Sequence, residues 1–150
     1  VWSVGHFILL WQLAGPALVT LVGVGVALSD VMQYTVGKLF GRHIISPEVN
    51  PRKAWEGLIG DFIGASLAVA LFNVALPEAF LWFHMLALAF LIGLGAAWGD
   101  LASSLVKRAA GTKDWGNVVP GHGGLFDRAN SLVVVVPLTY YFAYLVLEYA

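Results

Sequence analysis

Gly99-Asp100-Leu101-Ala102-Ser103-Ser104-Leu105-Val106-Lys107-Arg108, then Lys113-Asp114, then Gly121-His122-Gly123-Gly124-Leu125-Phe126-Asp127-Arg128-Ala129-Asn130-Ser131, is the stretch on which the reading of this chain turns. It carries Lys107, Arg108, Lys113 and Arg128, half of the 8 lysines and arginines, and Asp100, Asp114 and Asp127 among the 9 acids. On a helix turning roughly 100° per residue, Asp100, Ser104, Lys107 and Arg108 fall at about 0°, 40°, −20° and 80° and share one narrow face. Leu101, Leu105, Val106, Ala109 and Ala110 take the other side. One reading of such a face is an interfacial amphipathic helix whose charges simply meet water. The glycine-rich segment that follows favours a site instead. Gly-His-Gly-Gly is a poor helix, glycine costing about 1 kcal/mol there, and its backbone N–H groups can form an anion-binding nest. Asp100 and Asp127 could converge on a hard divalent cation, since Mg²⁺ takes one or two carboxylates plus phosphate oxygens. Basic side chains would hold the remaining phosphate charge. The chemistry these residues suggest is phosphoryl or nucleotidyl transfer at a membrane surface.

The rest of the chain says which surface. Of 150 residues, 59% are hydrophobic and only 11% charged, with a mean hydropathy of +0.81. Soluble domains carry about 25% charged residues, so the class is membrane protein. A net charge of −1 argues against nucleic acid as a partner. The absence of cysteine excludes disulfides and thiolate metal sites. The chain opens on Val1 rather than Met, which we read as the C-terminal part of something longer, residues 1–150 forming a single membrane-embedded catalytic domain.

Four apolar runs, about 4–28, 58–76, 79–98 and 132–149, are long enough to cross a bilayer. The fold class expected is an all-α polytopic membrane protein, with two polar segments carrying the motifs. Gly15 and Pro16 predict a kink in the first run. His6, near its end, reads as interfacial. Ser29–Gly57 is expected to be loop-rich, with at most a short helix over 30–40, because it holds two prolines and three glycines. Gly57, Gly60 and Gly64 make a small-residue face for close helix packing in the second run. Asp61 lies just inside that run, and is either functional or close enough to the interface to snorkel to water. Pro77-Glu78 closes a tight hairpin between the second and third runs, and the third delivers Asp100 at its end. Tyr140, Tyr141, Tyr144 and Tyr149 suit a membrane interface.

All eight lysines and arginines lie in the segments 29–57 and 99–131. With four spans these segments face one side, and the positive-inside rule makes that side cytoplasmic, leaving 77–78 and both ends outside. Two polar segments in one compartment can build one site.

At this point the residues resemble a family. Ser104-Leu105-Val106-Lys107-Arg108, Lys113-Asp114 and His122-Gly123-Gly124-Leu125-Phe126-Asp127-Arg128 look like the signature of phosphatidate cytidylyltransferases, also called CDP-diacylglycerol synthases. The upstream series Asp30, Tyr34, Gly37-Lys38, Phe40-Gly41-Arg42, Pro47, Pro51-Arg52-Lys53 and Trp55-Glu56-Gly57 is similar to that family as well. The resemblance implies an all-helical enzyme of a cytoplasmic membrane, with more spans than this chain has and the active site facing the cytoplasm. It implies transfer of a cytidylyl group from CTP to phosphatidate with release of pyrophosphate, assisted by Mg²⁺ with a second cation left open. It places Asp100 and Asp127 at the metal and Ser104, Lys107 and Arg108 in the active site. His122 could donate to a phosphate oxygen. Lys38, Arg52, Lys53, Lys113, Arg128 and the backbone of Gly123 and Gly124 fall to substrate binding. A homo-oligomer is compatible with this reading.

Three positions depart from the family's usual pattern. Asn50 stands where a serine is common, Ala54 where a threonine is common, and Asn130 where an aspartate is common. Asn130 can still offer an oxygen to a metal, without charge. The departures leave open another lipid acceptor, such as an isoprenoid phosphate or alcohol, or a lipid-binding homologue without turnover.

Overall fold

The computed structural model describes residues 2–76, 78–112, 115–116 and 126–149, and for Pro51, Arg52, Arg128 and Tyr149 the backbone alone. Helix α1 (Trp2–Phe40) leads into a small antiparallel hairpin of β1 (Ile44–Ser46) and β2 (Asn50–Ala54). Helix α2 (Trp55–Phe72) follows, ending in a 3₁₀ turn (Asn73–Ala75), and then α3 (Trp82–Ala109) and α4 (Phe126–Tyr149). Among the described residues, four helices are long and apolar enough to cross a membrane, as the composition required. The protein is an all-α polytopic membrane protein. Outward-facing Ile8, Leu67, Leu71, Phe90 and Leu145 are all exposed, as suits a surface bathed in lipid rather than water.

Each helix extends beyond the apolar run that foretold it. The 39 residues of α1 would reach about 58 Å at 1.5 Å per residue, against a hydrocarbon core of about 30 Å. The helix breaks at Gly15, whose φ of 73° and ψ of −172° lie in a region glycine tolerates and other residues rarely adopt, and Pro16 starts the next segment. Beyond Leu28, where a loop was expected, α1 continues unbroken through Asp30 to Phe40. No proline or glycine falls between Ser29 and Val36, so the polar residues there do not end the helix. The remainder of that segment is the hairpin, with Ile44 opposite Ala54 and Ser46 opposite Asn50. Its strands are too short for a period-2 pattern to be legible, and Pro51 is tolerated because a two-stranded sheet has only edges.

Helix α3 unites what the sequence separated. The apolar run and the Asp100–Arg108 face form one continuous helix of 28 residues, so Asp100 stands within a helix rather than at the start of one. Helix α4 likewise begins at Phe126, six residues before the run expected from Leu132, and thereby carries Asp127 and Asn130.

Glycines set the helix spacing. A Cβ on Gly60 would lie 2.4 Å from the Met32 carbonyl oxygen, and one on Gly64 2.4 Å from that of Leu28, so α1 and α2 touch backbone to backbone. Ser29 Oγ donates to the Asp61 carbonyl at 2.9 Å across the same seam. The core lies between the helices, with Leu18, Leu21, Leu88, Ile92 and Val135 fully buried. Pro137 lies inside α4, and the amide hydrogen it lacks would have served the Val133 carbonyl. Ser3 Oγ of α1 donates to that carbonyl at 3.0 Å instead. His6 is buried between helices: its Nδ1 meets the Trp2 carbonyl at 2.9 Å, and its ring packs on Tyr140 and Tyr141 of α4.

Candidate active site

The end of α1, the hairpin, the start of α2, the end of α3 and the start of α4 all lie at one end of the bundle, which follows from the up-and-down connectivity. Among the described residues, the ion pairs of Lys53 and Lys107 tie the elements at this end together. Lys53 Nζ, carried in by β2, donates to Asp100 Oδ2 at 3.1 Å and to the Ala97 carbonyl of α3 at 2.9 Å. Its side chain is 3% exposed and that of Asp100 30%. Asn50 Nδ2 donates to the same carboxylate oxygen at 3.5 Å, and Asn130 Nδ2 of α4 donates to Oδ1 at 3.1 Å. Asp100 is thus the point where hairpin, α3 and α4 meet. Two turns further along α3, Lys107 Nζ donates to Asp127 Oδ1 at 2.8 Å, and the Trp115 amide donates to Asp127 Oδ2 at 2.8 Å. Both partners of this ion pair are nearly buried, at 14% and 9%. Removing one member of such a pair strands a charge in a low-dielectric setting, whereas the intact pair offsets its own desolvation.

The rungs Asp100–Asn130 and Lys107–Asp127 both join α3 to α4. Asn130 is one turn after Asp127, so both face α3. Gly99 permits the approach: a Cβ there would lie 2.7 Å from Ser131 Cα. Ser131 Oγ donates to the Ala96 carbonyl at 3.2 Å. Ser104 is buried on the inward side of α3, beside Ser103, which accepts a hydrogen bond from Trp115 Nε1 at 3.1 Å.

Of the residues singled out from sequence, the structure brings together Asp100 with Lys53, and Lys107 with Asp127. Arg108 stands apart from them: it is exposed, and its Nε donates to the Val49 carbonyl in the hairpin turn at 3.4 Å. Lys38 is also exposed, its ammonium 5.8 Å from the centroid of the Tyr34 ring. Lys113, Asp114, His122, Gly123 and Gly124 lie outside the described residues, as do the side chains of Arg52 and Arg128. Asp61 does not snorkel; it is 2% exposed. Sequence reasoning missed Asn50 and the contact of Asn130 with Asp100. The available signal for Asn130 was its i+3 spacing from Asp127. It also missed that Lys53 meets an acid of its own chain. Nothing local to 50–54 announces that partner, which lies 47 residues away.

Among the described residues no group of three His, Cys, Asp or Glu is placed to hold a metal. The donor chemistry nonetheless fits a hard ion that takes only one or two carboxylates from protein. Asp100 and Asp127 are oxygen donors on facing helices, whereas the Asn130 Oδ1 accepts from the Ser131 amide at 2.8 Å and its Nδ2 donates to Asp100. Their hydrogen-bond partners, Lys53 and Lys107, are cations, which a divalent ion would have to displace.

Fold and site together define a class: a polytopic membrane protein with a charged, partly buried cluster at one membrane face. The chain belongs to the cytidylyltransferase family, which it matches over residues 1–146. Phosphatidate cytidylyltransferase of Mycobacterium leprae is 39% identical over 126 residues, covering 84% of this chain and 40% of that protein. The enzyme of that name from Synechocystis is 40% identical over 120 residues, covering 79% and 40%. The chloroplastic phosphatidate cytidylyltransferase 4 of Arabidopsis thaliana is 37% identical over 118 residues, covering 79% and 30%. The chain thus spans well under half the length of these curated relatives.

Proposed function

We propose that this chain forms the catalytic part of a phosphatidate cytidylyltransferase. The observation that carries the reading is the polar cluster in which Lys53 of β2 and Asn130 of α4 meet Asp100 of α3, beside the Lys107–Asp127 ion pair between α3 and α4, in a membrane-embedded member of the cytidylyltransferase family. A phosphate oxygen of phosphatidate attacks the α-phosphorus of CTP in line, the bond from that phosphorus to the bridging oxygen breaks, and pyrophosphate leaves. A phosphate monoester is largely ionised at neutral pH, so the attacking oxygen needs no general base. Such chemistry depends on positioning and charge neutralisation. Asp100 and Asp127 would hold Mg²⁺, which supplies charge neutralisation at the α-phosphate and the leaving group. A second cation is compatible with the same cluster.

The remaining work falls to this chain's side chains. Lys107, released from Asp127, reaches phosphate oxygens from a helix fixed in the bundle. Arg108 is exposed beside the hairpin turn, held through Nε by the Val49 carbonyl, and its guanidinium would form a bidentate fork on phosphate. Ser104 lines the inward face of α3, and Lys53 balances the charge on Asp100. His122, the backbone of Gly123 and Gly124, and the side chains of Lys38, Arg52, Lys113 and Arg128 are assigned to the substrate phosphates. The segments 29–57 and 99–131 face the cytoplasm, in a bacterial cytoplasmic membrane. Homo-oligomerisation is compatible with this assignment.

The test is formation of CDP-diacylglycerol by the full-length protein in detergent, from labelled CTP, phosphatidate and Mg²⁺. Product with an isoprenoid phosphate or alcohol, and none with phosphatidate, would move the assignment to another acceptor. No product with any acceptor would favour a lipid-binding homologue without turnover.

A further inference from the structure

Asp61 is absorbed by none of the roles above. It lies in α2, 2% exposed, and its Oδ2 is buried without a hydrogen-bond partner. A carboxylate inside a spanning helix is costly and marks a functional position by default. Its backbone is pinned from two sides. Ser29 of α1 donates to its carbonyl, and a Cβ on Gly93 of α3 would lie 3.2 Å from the same oxygen. Gly93, Ala97 and Asp100 follow at i, i+4 and i+7 and so share one face of α3. Asp61 therefore meets that face two turns below Asp100, and the carbonyl of Ala97 lies between. Lys53 Nζ stands at this intermediate level, bonded to both Ala97 and Asp100. Asp61, Gly93 and Ala97 line one groove of about 370 Å³, walled otherwise by apolar side chains such as Phe62 and Phe90.

We propose that Asp61 is a positioning residue that takes Lys53 from Asp100 when Asp100 receives a divalent cation. The inference rests on the metal reading given above. A divalent ion on Asp100 repels the ammonium group that now occupies one of its oxygens. Lys53 is nearly buried, its side chain 3% exposed. Its stem is flexible, and Asp61 offers an unsatisfied oxygen on the same side of α3. Exchanging one carboxylate for another keeps the lysine paired and vacates Asp100. Without Asp61, Lys53 competes with the metal.

The experiment measures Mn²⁺ binding by the full-length protein in detergent, from the electron paramagnetic resonance signal of the free ion, and does not rely on turnover. Asp61→Asn should weaken Mn²⁺ binding about tenfold, within the range usual for coupling between sites. Lys53→Met should strengthen it. In the Lys53→Met background, adding Asp61→Asn should change affinity by less than about twofold, because the two residues act as one unit. An equal loss in both backgrounds would show Asp61 acting through its field alone and would overturn the proposal. So would unchanged Mn²⁺ binding in Asp61→Asn with only a lowered Tm. Should Lys53→Met not fold, the cycle is run with Lys53→Gln, whose amide can still donate to Ala97. Failure of the unmutated protein to bind Mn²⁺ refutes the metal reading itself; binding that is indifferent to Asp61 refutes only this proposal.

Discussion

Replacing Gly99 by alanine tests whether the contact of α3 with α4 is a working part of the site. The added Cβ would lie 2.7 Å from Ser131 Cα, 3.2 Å from the Asn130 carbonyl oxygen and 3.3 Å from that of Ser131. All three are backbone atoms of α4, so no side chain can rotate away. Carbon atoms pack at about 3.5–4.0 Å, and α4 must therefore withdraw by about 1 Å. Overpacking of this kind costs about 1–3 kcal/mol. The displaced segment carries Asn130, whose bond to Asp100 is 3.1 Å. Lengthened by about 1 Å, that bond passes out of hydrogen-bond range. Misplacement on this scale costs about a hundredfold in rate. We expect Gly99→Ala to fold with a lowered Tm and to lose about two orders of magnitude in kcat/KM for CTP-dependent product formation. Gly23→Ala is the control. No atom lies within 4 Å of its added Cβ, and it should keep full activity and gain up to about 1 kcal/mol from helix propensity. Gly99→Ala with turnover within about twofold of the unmutated protein would refute the reasoning, because the α3–α4 spacing would then not govern the chemistry.

Asp100→Asn and Asp127→Asn should each abolish turnover while the thermal transition in detergent persists, since each removes one anionic ligand from a divalent ion; near-normal activity with Mg²⁺ in either variant would remove the two-aspartate site. Lys107→Ala should lower both stability and activity, because breaking a nearly buried ion pair costs about 3–5 kcal/mol; an unchanged Tm would show that the contact with Asp127 contributes nothing. Arg108→Lys should lower kcat/KM at least about tenfold with little change in Tm, since Arg108 is exposed and lysine cannot reproduce the planar fork; equal rates would make it a surface charge. A single cysteine placed at position 78, in a chain with no cysteine of its own, should react with an impermeant reagent added outside the cell; labelling only from the cytoplasm would invert the topology.

Composition and hydropathy alone determined that the chain crosses a membrane. The number of spans followed from the apolar runs, because the bilayer demands roughly 20 apolar residues per helix. The glycine face of α2 was equally legible, since Gly57, Gly60 and Gly64 recur at helical spacing and a close-packed seam requires small residues there. Helix ends were not legible. A helix keeps its backbone hydrogen bonds while its side chains change character, so polarity at Ser29 and at Asp100 did not mark the ends of α1 and α3. The partners of the charges were decided only by tertiary structure. Lys53 and Asp100 are 47 residues apart and Lys107 and Asp127 20 apart, and each pair exists because helices held at glycine-limited distances bring their side chains within reach. The same packing buried Asp61 instead of letting it reach water. A local pattern records which residues can share a face; which charge sits opposite another depends on how whole helices pack, and that information is distributed over the entire chain.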